Sequence, residues 1–298
     1  MITNYCTLFN SNYLSRGIAM YHSLSRNSKN FHLYIFAFDD ACARILTAMH
    51  LPDCTVISLD EFEDDALLQV KPTRSAVEYC WTCTPSTILY VLDKFQKESC
   101  TYIDADLLFF SDPQVLIDEM GNDSVLITEH RFSKDYLSWE TSSGKYCVQF
   151  MTFKNNPTAR NALNWWREAC MDSCELDSSN GKCGDQKYLD DWTSRFEGIH
   201  VLQHLGGGVA PWNVQQYEFS DDTGEIMGKS KTTGEIFRLI FFHFHGLKFY
   251  SNCIRMTGSV YALSDFVIHS IYFPYVQELK QRGRSIKRHF ESYSPCQT

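Results

Sequence analysis

Two aspartates, Asp104 and Asp106, stand in the segment Tyr102-Ile103-Asp104-Ala105-Asp106-Leu107-Leu108-Phe109-Phe110, where every other residue is apolar or aromatic. If this stretch is extended, side chains alternate and both carboxylates project to one side. Two acids held close in apolar surroundings repel one another and lose hydration, so the pair calls for a cation. Oxygen ligands suit Mg2+ or Mn2+. A second group of chemically active residues comes late, in His243-Phe244-His245-Gly246-Leu247-Lys248. On an extended Phe241 to His245 both imidazoles face one way, and either can join the acids as a metal ligand.

An Asp-x-Asp after an apolar strand also marks haloacid-dehalogenase-type phosphatases. Those carry threonine or valine two residues past the second acid, where this chain has Leu108, and their motif lies near the chain start. The phosphatase reading therefore falls behind.

The elements that must position these residues alternate along the chain. Ile2 to Phe9, His32 to Phe38 and Cys54 to Leu59 read as strands, and Leu14 to Leu24 has apolar positions at helical spacing. Glu78 to Phe95 is helical in period, with Pro85 expected to start a new turn or kink it. Cys100 to Asp104, Leu107 to Phe110, Val125 to Thr128, Cys147 to Phe153 and Phe237 to His245 read as further strands. Helices are expected from Pro157 to about Met171 and from Asp185 to Phe196, and a surface loop or hairpin from Ser220 to Thr233. This alternation is that of an α/β layered fold with a largely parallel sheet, in which acids at strand ends lie where ligands bind.

With 298 residues, 44% of them hydrophobic and 14% aromatic, the chain can bury a sizeable core. Its formal charge of -9, with no basic stretch interleaved with aromatics, excludes nucleic acid as a partner. Cys80 and Cys83 have zinc-like spacing, but no second close pair follows, so the twelve cysteines read as reduced, mostly buried thiols. Met1 to Tyr5 carries no leader-like pattern and no apolar run reaches about 18 residues, so a cytoplasmic location is expected.

From Val260 onward, Phe266, Ile268, Ile271, Tyr272, Phe273 and Tyr275 precede Lys280, Arg282, Arg284, Lys287 and Arg288. Two readings fit that order: peripheral contact with the inner face of a membrane, or a terminal helix that packs its aromatics on the domain.

Taken together, the segments resemble GT-A-fold glycosyltransferases, and most closely retaining glycosyltransferase family 8. The family's Tyr-Leu-Asp-x-Asp motif is similar to Tyr102-Ile103-Asp104-Ala105-Asp106, and its His-x-x-Gly with a following lysine is similar to His243 through Lys248. The resemblance implies one GT-A domain with a mixed central sheet over residues 1–258 and a C-terminal helical appendage over 259–298. It implies Mn2+ or Mg2+ on Asp104, Asp106 and a histidine, with Lys248 on the donor diphosphate. Gly184-Asp185-Gln186 resembles the family's Asp-Gln helix start on the sugar side of the donor, which makes Asp185 or Gln186 the stabiliser of an oxocarbenium-like state. Asp185 also fits a plain helix N-cap. Tyr5 to Tyr13 resembles the nucleotide-binding start, with Thr7, Phe9, Asn12 and Ala105 near the donor. Tyr13 is either a base-stacking ring or a hydrophobic staple ahead of the next helix.

The expected activity is transfer from a nucleotide-diphosphate sugar, UDP-sugar favoured, to a saccharide or lipid-linked acceptor, with retention, in polysaccharide or glycoconjugate synthesis. Gly206-Gly207-Gly208 and Pro211-Trp212-Asn213 are expected to border the acceptor, while Trp139, Trp165 and Trp166 read as core. A sugar-1-phosphate nucleotidyltransferase is the nearest rival, but Asn10 to Arg16 lacks the glycine-rich, basic loop that enzyme would use. The other alternative is a non-catalytic nucleotide-sugar-binding module.

Overall fold

Strand β1 (Thr3–Phe9) is buried on six of its seven residues, as a strand covered on both faces must be. Helix α1 (Leu14–Asn27) returns the chain to β2 (Phe31–Ala37), and α2 (Asp40–Met49), N-capped by Asp39, leads to β3 (Cys54–Ser58). These strands pair in parallel, β1 with β2 and β2 with β3. Two short helices follow, α3 (Leu59–Phe62) and α4 (Asp65–Val70). Next comes α5 (Ala76–Lys94), whose start is fixed by a capping box between Ser75 and Glu78. Pro85 lies inside α5 without ending it; one turn earlier, Thr82 and Thr84 direct their hydroxyls at the Glu78 and Cys80 carbonyls.

The computed structural model describes residues 2–175, 183–221, 224–250, 253–255 and 261–289. Strand β4 (Ser99–Ile103) lies parallel to β1, and β5 (Leu107–Phe109) leaves the central sheet. Past α6 (Gln114–Glu119) come β6 (Val125–Glu129), α7 (Trp139–Ser143) and β7 (Tyr146–Lys154). Then α8 (Pro157–Asp172), capped by Asn156 with proline at its first position, precedes α9 (Trp192–Arg195) and β8 (Ile199–Val201). The seven-stranded sheet runs β3-β2-β1-β4-β7-β6-β8, with β7 antiparallel to both neighbours. It is therefore mixed rather than largely parallel.

The hairpin expected among Ser220 to Thr233 is present as antiparallel β9 (Tyr217–Asp221) and β10 (Ile226–Ser230), and β11 (Ile236–Arg238) extends it into a separate three-stranded sheet. Strand β12 (Phe241–His243) pairs with β5, and β13 (Lys248–Tyr250) pairs with β14 (Cys253–Arg255). The single strand expected over Phe237 to His245 is thus two, β11 and β12, because each segment pairs with a different partner.

One core face packs Phe36, Tyr102, Phe153, Trp166 and Trp192 under α5 and α8; the other packs Leu24, Leu33, Ile103, Phe150 and Phe241 near α1 and α2. Burying one such aromatic side chain contributes roughly 2 to 3 kcal/mol before the ordering entropy is counted.

The tail continues through a π-helical stretch (Val267–Tyr272) into α10 (Phe273–His289). Ile271, Tyr272 and Tyr275 are fully buried, and the Tyr275 ring stacks on Phe244 at 3.7 Å. Most of the tail's aromatics thus serve the core, as in the packing reading, while Phe273 and the basic side chains of Lys280, Arg284, Lys287 and Arg288 stay exposed. Residues 290–298 of the expected tail, with Cys296, lie outside the described residues. No described helix is long and apolar enough to cross a membrane.

Candidate functional site

The acidic segment is not one continuous strand. Strand β4 stops at Ile103, the Asp104 N–H donates to the Gln149 carbonyl at 3.0 Å, and the chain turns so that β5 can pair with β12. That register sets His243 opposite Leu107, the residue after Asp106. The expected alternation of the two acids along an extended stretch is replaced by a turn, yet both carboxylates meet the same imidazole.

His243 Nε2 lies 3.1 Å from Asp106 Oδ1 and 3.7 Å from Asp104 Oδ2. One ligand atom from each of the three residues falls within 4.8 Å of the others. On the far side of the ring, Nδ1 meets Gln149 Oε1 at 2.8 Å. An amide oxygen only accepts, so Nδ1 carries a proton and Nε2 is the nitrogen offered to the acids. Gln149 is fully buried on β7.

Charge is balanced tightly here. Burial pushes the Asp104 carboxyl up to about 6, opposed by His243 and reinforced by Asp106. For Asp106 the attraction of His243, its hydrogen bond and more distant His245 and Arg16 overcome burial and bring the value to about 2. His243 is itself held well above the ordinary histidine range by the two acids, against burial. The imidazolium thus stands in as counter-ion for the pair.

His245 does not join the cluster. Strand β12 ends at His243, the Phe244 N–H donates to the Asp106 carbonyl, and Gly246 turns the chain at φ +71°. The His245 ring sits at the rim, edge-on to Trp212 at 5.5 Å, and crowding plus the His243 charge push its pKa down to about 4. Two histidines spaced for one strand face are separated because the strand stops between them.

Asp185 reaches the site from another direction. Gly184, at φ +56°, lies against Trp81, where an added Cβ would meet the indole at 3.2 Å. No continuous helix spans Asp185 to Phe196; a 3-10 turn over Lys187–Leu189 is followed by α9. Asp185 is buried, and burial with Asp104 nearby raises its carboxyl to about 7 against the Thr84 hydroxyl and backbone N–H groups. Gln186 donates from Nε2 to the Ser143 carbonyl at 2.9 Å.

A cleft of about 510 Å³ joins these groups at one end of the sheet. Phe9, Asn10 and Tyr13 line it where β1 ends, Cys80, Trp81 and Thr84 come from α5, and Asp104, Ala105, Asp106, His243 and His245 contribute next to them. Asp185 and Gln186 line it too, as do His130, Phe132, Trp139, Trp212 and Tyr261. Among the described residues that line the cleft there is no lysine or arginine. Since β1 and β7 flank β4 on opposite sides, the acids lie between the Tyr13 end and the aromatic end.

Three expected positions stand apart. Thr7 is fully buried inside β1, Asn12 sits in a 3-10 turn (Ser11–Tyr13) with Asn10 lining the cleft in its place, and Lys248 is exposed at the start of β13. Trp166 is core as expected and Trp165 packs against Phe196, but Trp139 lines the cleft, being carried there by α7. Trp212 is bound into the wall by its Nε1–H, which donates to the His130 carbonyl at 2.8 Å. Gln149, His130 and Arg16 went unread in the sequence. Gln149 had a signal, as a lone amide in the otherwise apolar run Val148 to Met151. The ten described cysteines are free thiols; Cys80 and Cys83 lie outside the acid–imidazole cluster, while Cys147 shares a hydrogen bond with His243.

No protein-family profile matches the chain. Over 295 residues it is 30% identical to the Bacillus subtilis (strain 168) protein YfnD, covering 98% of this chain and 93% of that one. The chain belongs to the YfnD family. YfnF of the same organism is 27% identical over 302 residues, covering 99% of this chain and 98% of its own length. Among solved structures, the galactosyltransferase LgtC, in complex with donor and acceptor sugar analogs, superposes with a TM-score of 0.52 at 11% identity. That match covers 94% of this chain and 96% of LgtC. The bifunctional glycosyltransferase WbbM matches with a TM-score of 0.54 at 14% identity, over 98% of this chain and 52% of WbbM. This member of the YfnD family therefore has the mixed α/β fold of GT-A glycosyltransferases.

Proposed function

We propose that the protein is a divalent-metal-dependent glycosyltransferase that moves a sugar from a nucleotide-diphosphate donor, UDP-sugar favoured, to a saccharide or lipid-linked acceptor. The observation that carries this reading is the convergence of Asp104, Asp106 and His243 Nε2 in a cleft whose described lining holds a third acid and no lysine or arginine. A diphosphate entering such a cleft would be repelled unless a cation met it at the acids. Two carboxylates and one imidazole nitrogen, with the far nitrogen tied to Gln149, fit Mn2+ or Mg2+. When bound, the ion supplies positive charge to the leaving diphosphate.

The chain's own residues do the rest. Asp104, Asp106 and His243 hold the ion, with His245 at the rim above them. Tyr13 and Phe9 take the nucleotide at the β1 end, with Ala105 between the two acids facing the same cleft, and Lys248, in the strand after the Gly246 turn, is the candidate for the diphosphate. Asp185 or Gln186 supports positive charge as it grows at the sugar carbon. Trp212 and Trp139 offer ring faces to the acceptor, and the wall they form excludes water. Retention, membership of glycosyltransferase family 8 and a place in surface-polysaccharide or glycoconjugate synthesis follow from the motif resemblance. A cytoplasmic site of action, with peripheral membrane contact through the exposed basic side chains of α10, belongs to the same reading.

The test is incubation of purified protein with a panel of nucleotide sugars, with Mn2+ or with EDTA. Donor turnover is expected with Mn2+ and to fall at least about a hundredfold on chelation or in Asp104→Asn. Turnover indifferent to both would refute the metal role; absence of turnover with any donor, despite metal-dependent nucleotide binding, would favour a binding module.

A further inference from the structure

Arg16 is 5% exposed, in the first turn of α1, where the helix dipole disfavours a cation. Burial of an arginine is costly unless its charge and donors are engaged. Its surroundings show what engages it. The guanidinium carbon lies 4.4 Å from the centroid of the Tyr13 ring, and Nη2 donates to the Leu247 carbonyl at 2.7 Å. Its charge also acts on Asp106 and on the Tyr275 hydroxyl beneath.

Those contacts link parts of the site that are far apart in sequence. Tyr13 lines the cleft and is 39% exposed, while Arg16 does not line it, so the guanidinium covers one ring face from behind and leaves the cleft side open. Leu247 directly precedes Lys248 and follows the Gly246 turn, itself held to the acids through the Phe244 N–H and the Asp106 carbonyl. A planar guanidinium can stack on the ring and still reach the carbonyl; a lysine ammonium does one of these well, not both.

We propose that Arg16 is a positioning residue that fixes the Tyr13 ring against the His243–Lys248 turn, so that binding of the nucleotide base and ordering of the diphosphate end are coupled. This rests on the function proposed above, with Tyr13 as the ring that stacks on the base.

The test is a double-mutant cycle read by calorimetry, with UDP as ligand in saturating Mn2+, and with Mn2+ alone as the control. Arg16→Met is expected to weaken UDP binding about tenfold, the size of a desolvated cation–π contact, while Mn2+ binding alone, touched only through the Arg16 charge on Asp106, does not weaken. In a Tyr13→Leu background the same change is expected to cost less than about twofold, since Arg16 acts through the ring. Arg16→Lys, which keeps the charge if Arg16→Met does not fold, is expected to weaken binding about threefold in the parent and not at all beside Tyr13→Leu.

Equal losses with and without Tyr13 would overturn the proposal, since a merely structural arginine moves both backgrounds alike. Unchanged UDP affinity in Arg16→Met or Arg16→Lys would overturn it also. If the parent protein bound Mn2+ but no UDP, the function proposed above would fail first, which separates the two failures.

Discussion

Two sets of carboxylates, the first partly and the second almost fully buried, face the same cleft and are treated differently. Asp104 and Asp106 share an imidazolium, and their acidities are driven apart, to about 6 and about 2. At Asp185 the Thr84 hydroxyl and backbone N–H groups only partly offset burial, reinforced by the Asp104 charge, and its carboxyl rises to about 7. The first set is built to carry negative charge when a cation is present. The second holds its proton near neutral pH until positive charge appears close by, which suits a group facing a sugar carbon that becomes cationic.

The difference can be broken by exchanging what each acid depends on. Asp106→Asn leaves His243 without the nearer of its two carboxylates and should reduce metal-dependent turnover at least about a hundredfold, the largest effect expected. Steady-state kinetics across Mn2+ concentrations checks it, and a loss below about threefold would place the ion elsewhere. Gln149→Leu removes the acceptor that orients His243 from behind, and Mn2+ affinity should drop about 10- to 100-fold with the acids untouched. Calorimetry with Mn2+ decides that point.

Asp185→Asn probes the other set. The folded state holds the Asp185 proton more tightly than the unfolded chain does, so stability falls as pH rises from the ordinary carboxylate range through about 7. Removing the titration should flatten that part of the slope by about 1 kcal/mol per pH unit, leaving a shallower contribution from Asp104 that ends near 6. Urea unfolding in EDTA between pH 4 and 8 measures it, and an unchanged slope would mean that Asp185 ionises freely. The smallest effect is expected from Cys80→Ser. That thiol lines the cleft outside the ligand cluster, so Mn2+ dependence should not move within error. A lost metal response would implicate the thiol.

Sequence alone carried a good part of this. The apolar flanks of Asp104 and Asp106 announced acids drawn in from solvent, and the spacing of His243 to Gly246 singled out, as one of two, the imidazole that meets them. Periodicity located most strands and long helices within a few residues. It failed where pairing partners decide the outcome. The break after Ile103 exists because β5 pairs with β12, and the split of the Phe237–His245 run exists because β10 and β5 claim different halves. The antiparallel entry of β7, which delivers Gln149 behind His243, is likewise set by tertiary pairing that no local pattern encodes. Trp139 and Arg16 were misread or passed over for the opposite reason: their types suggest core and surface, and only the packing of α7 and α1 brings one to the cleft and buries the other behind it.

The most direct measurement is UDP binding titrated with and without Mn2+, in the parent protein and in Asp106→Asn. If a cation joins the acid pair and His243 to a diphosphate, Mn2+ will tighten UDP binding at least about tenfold in the parent and have little effect in the variant. Equal UDP affinity in all four conditions would contradict a metal bridge at this site.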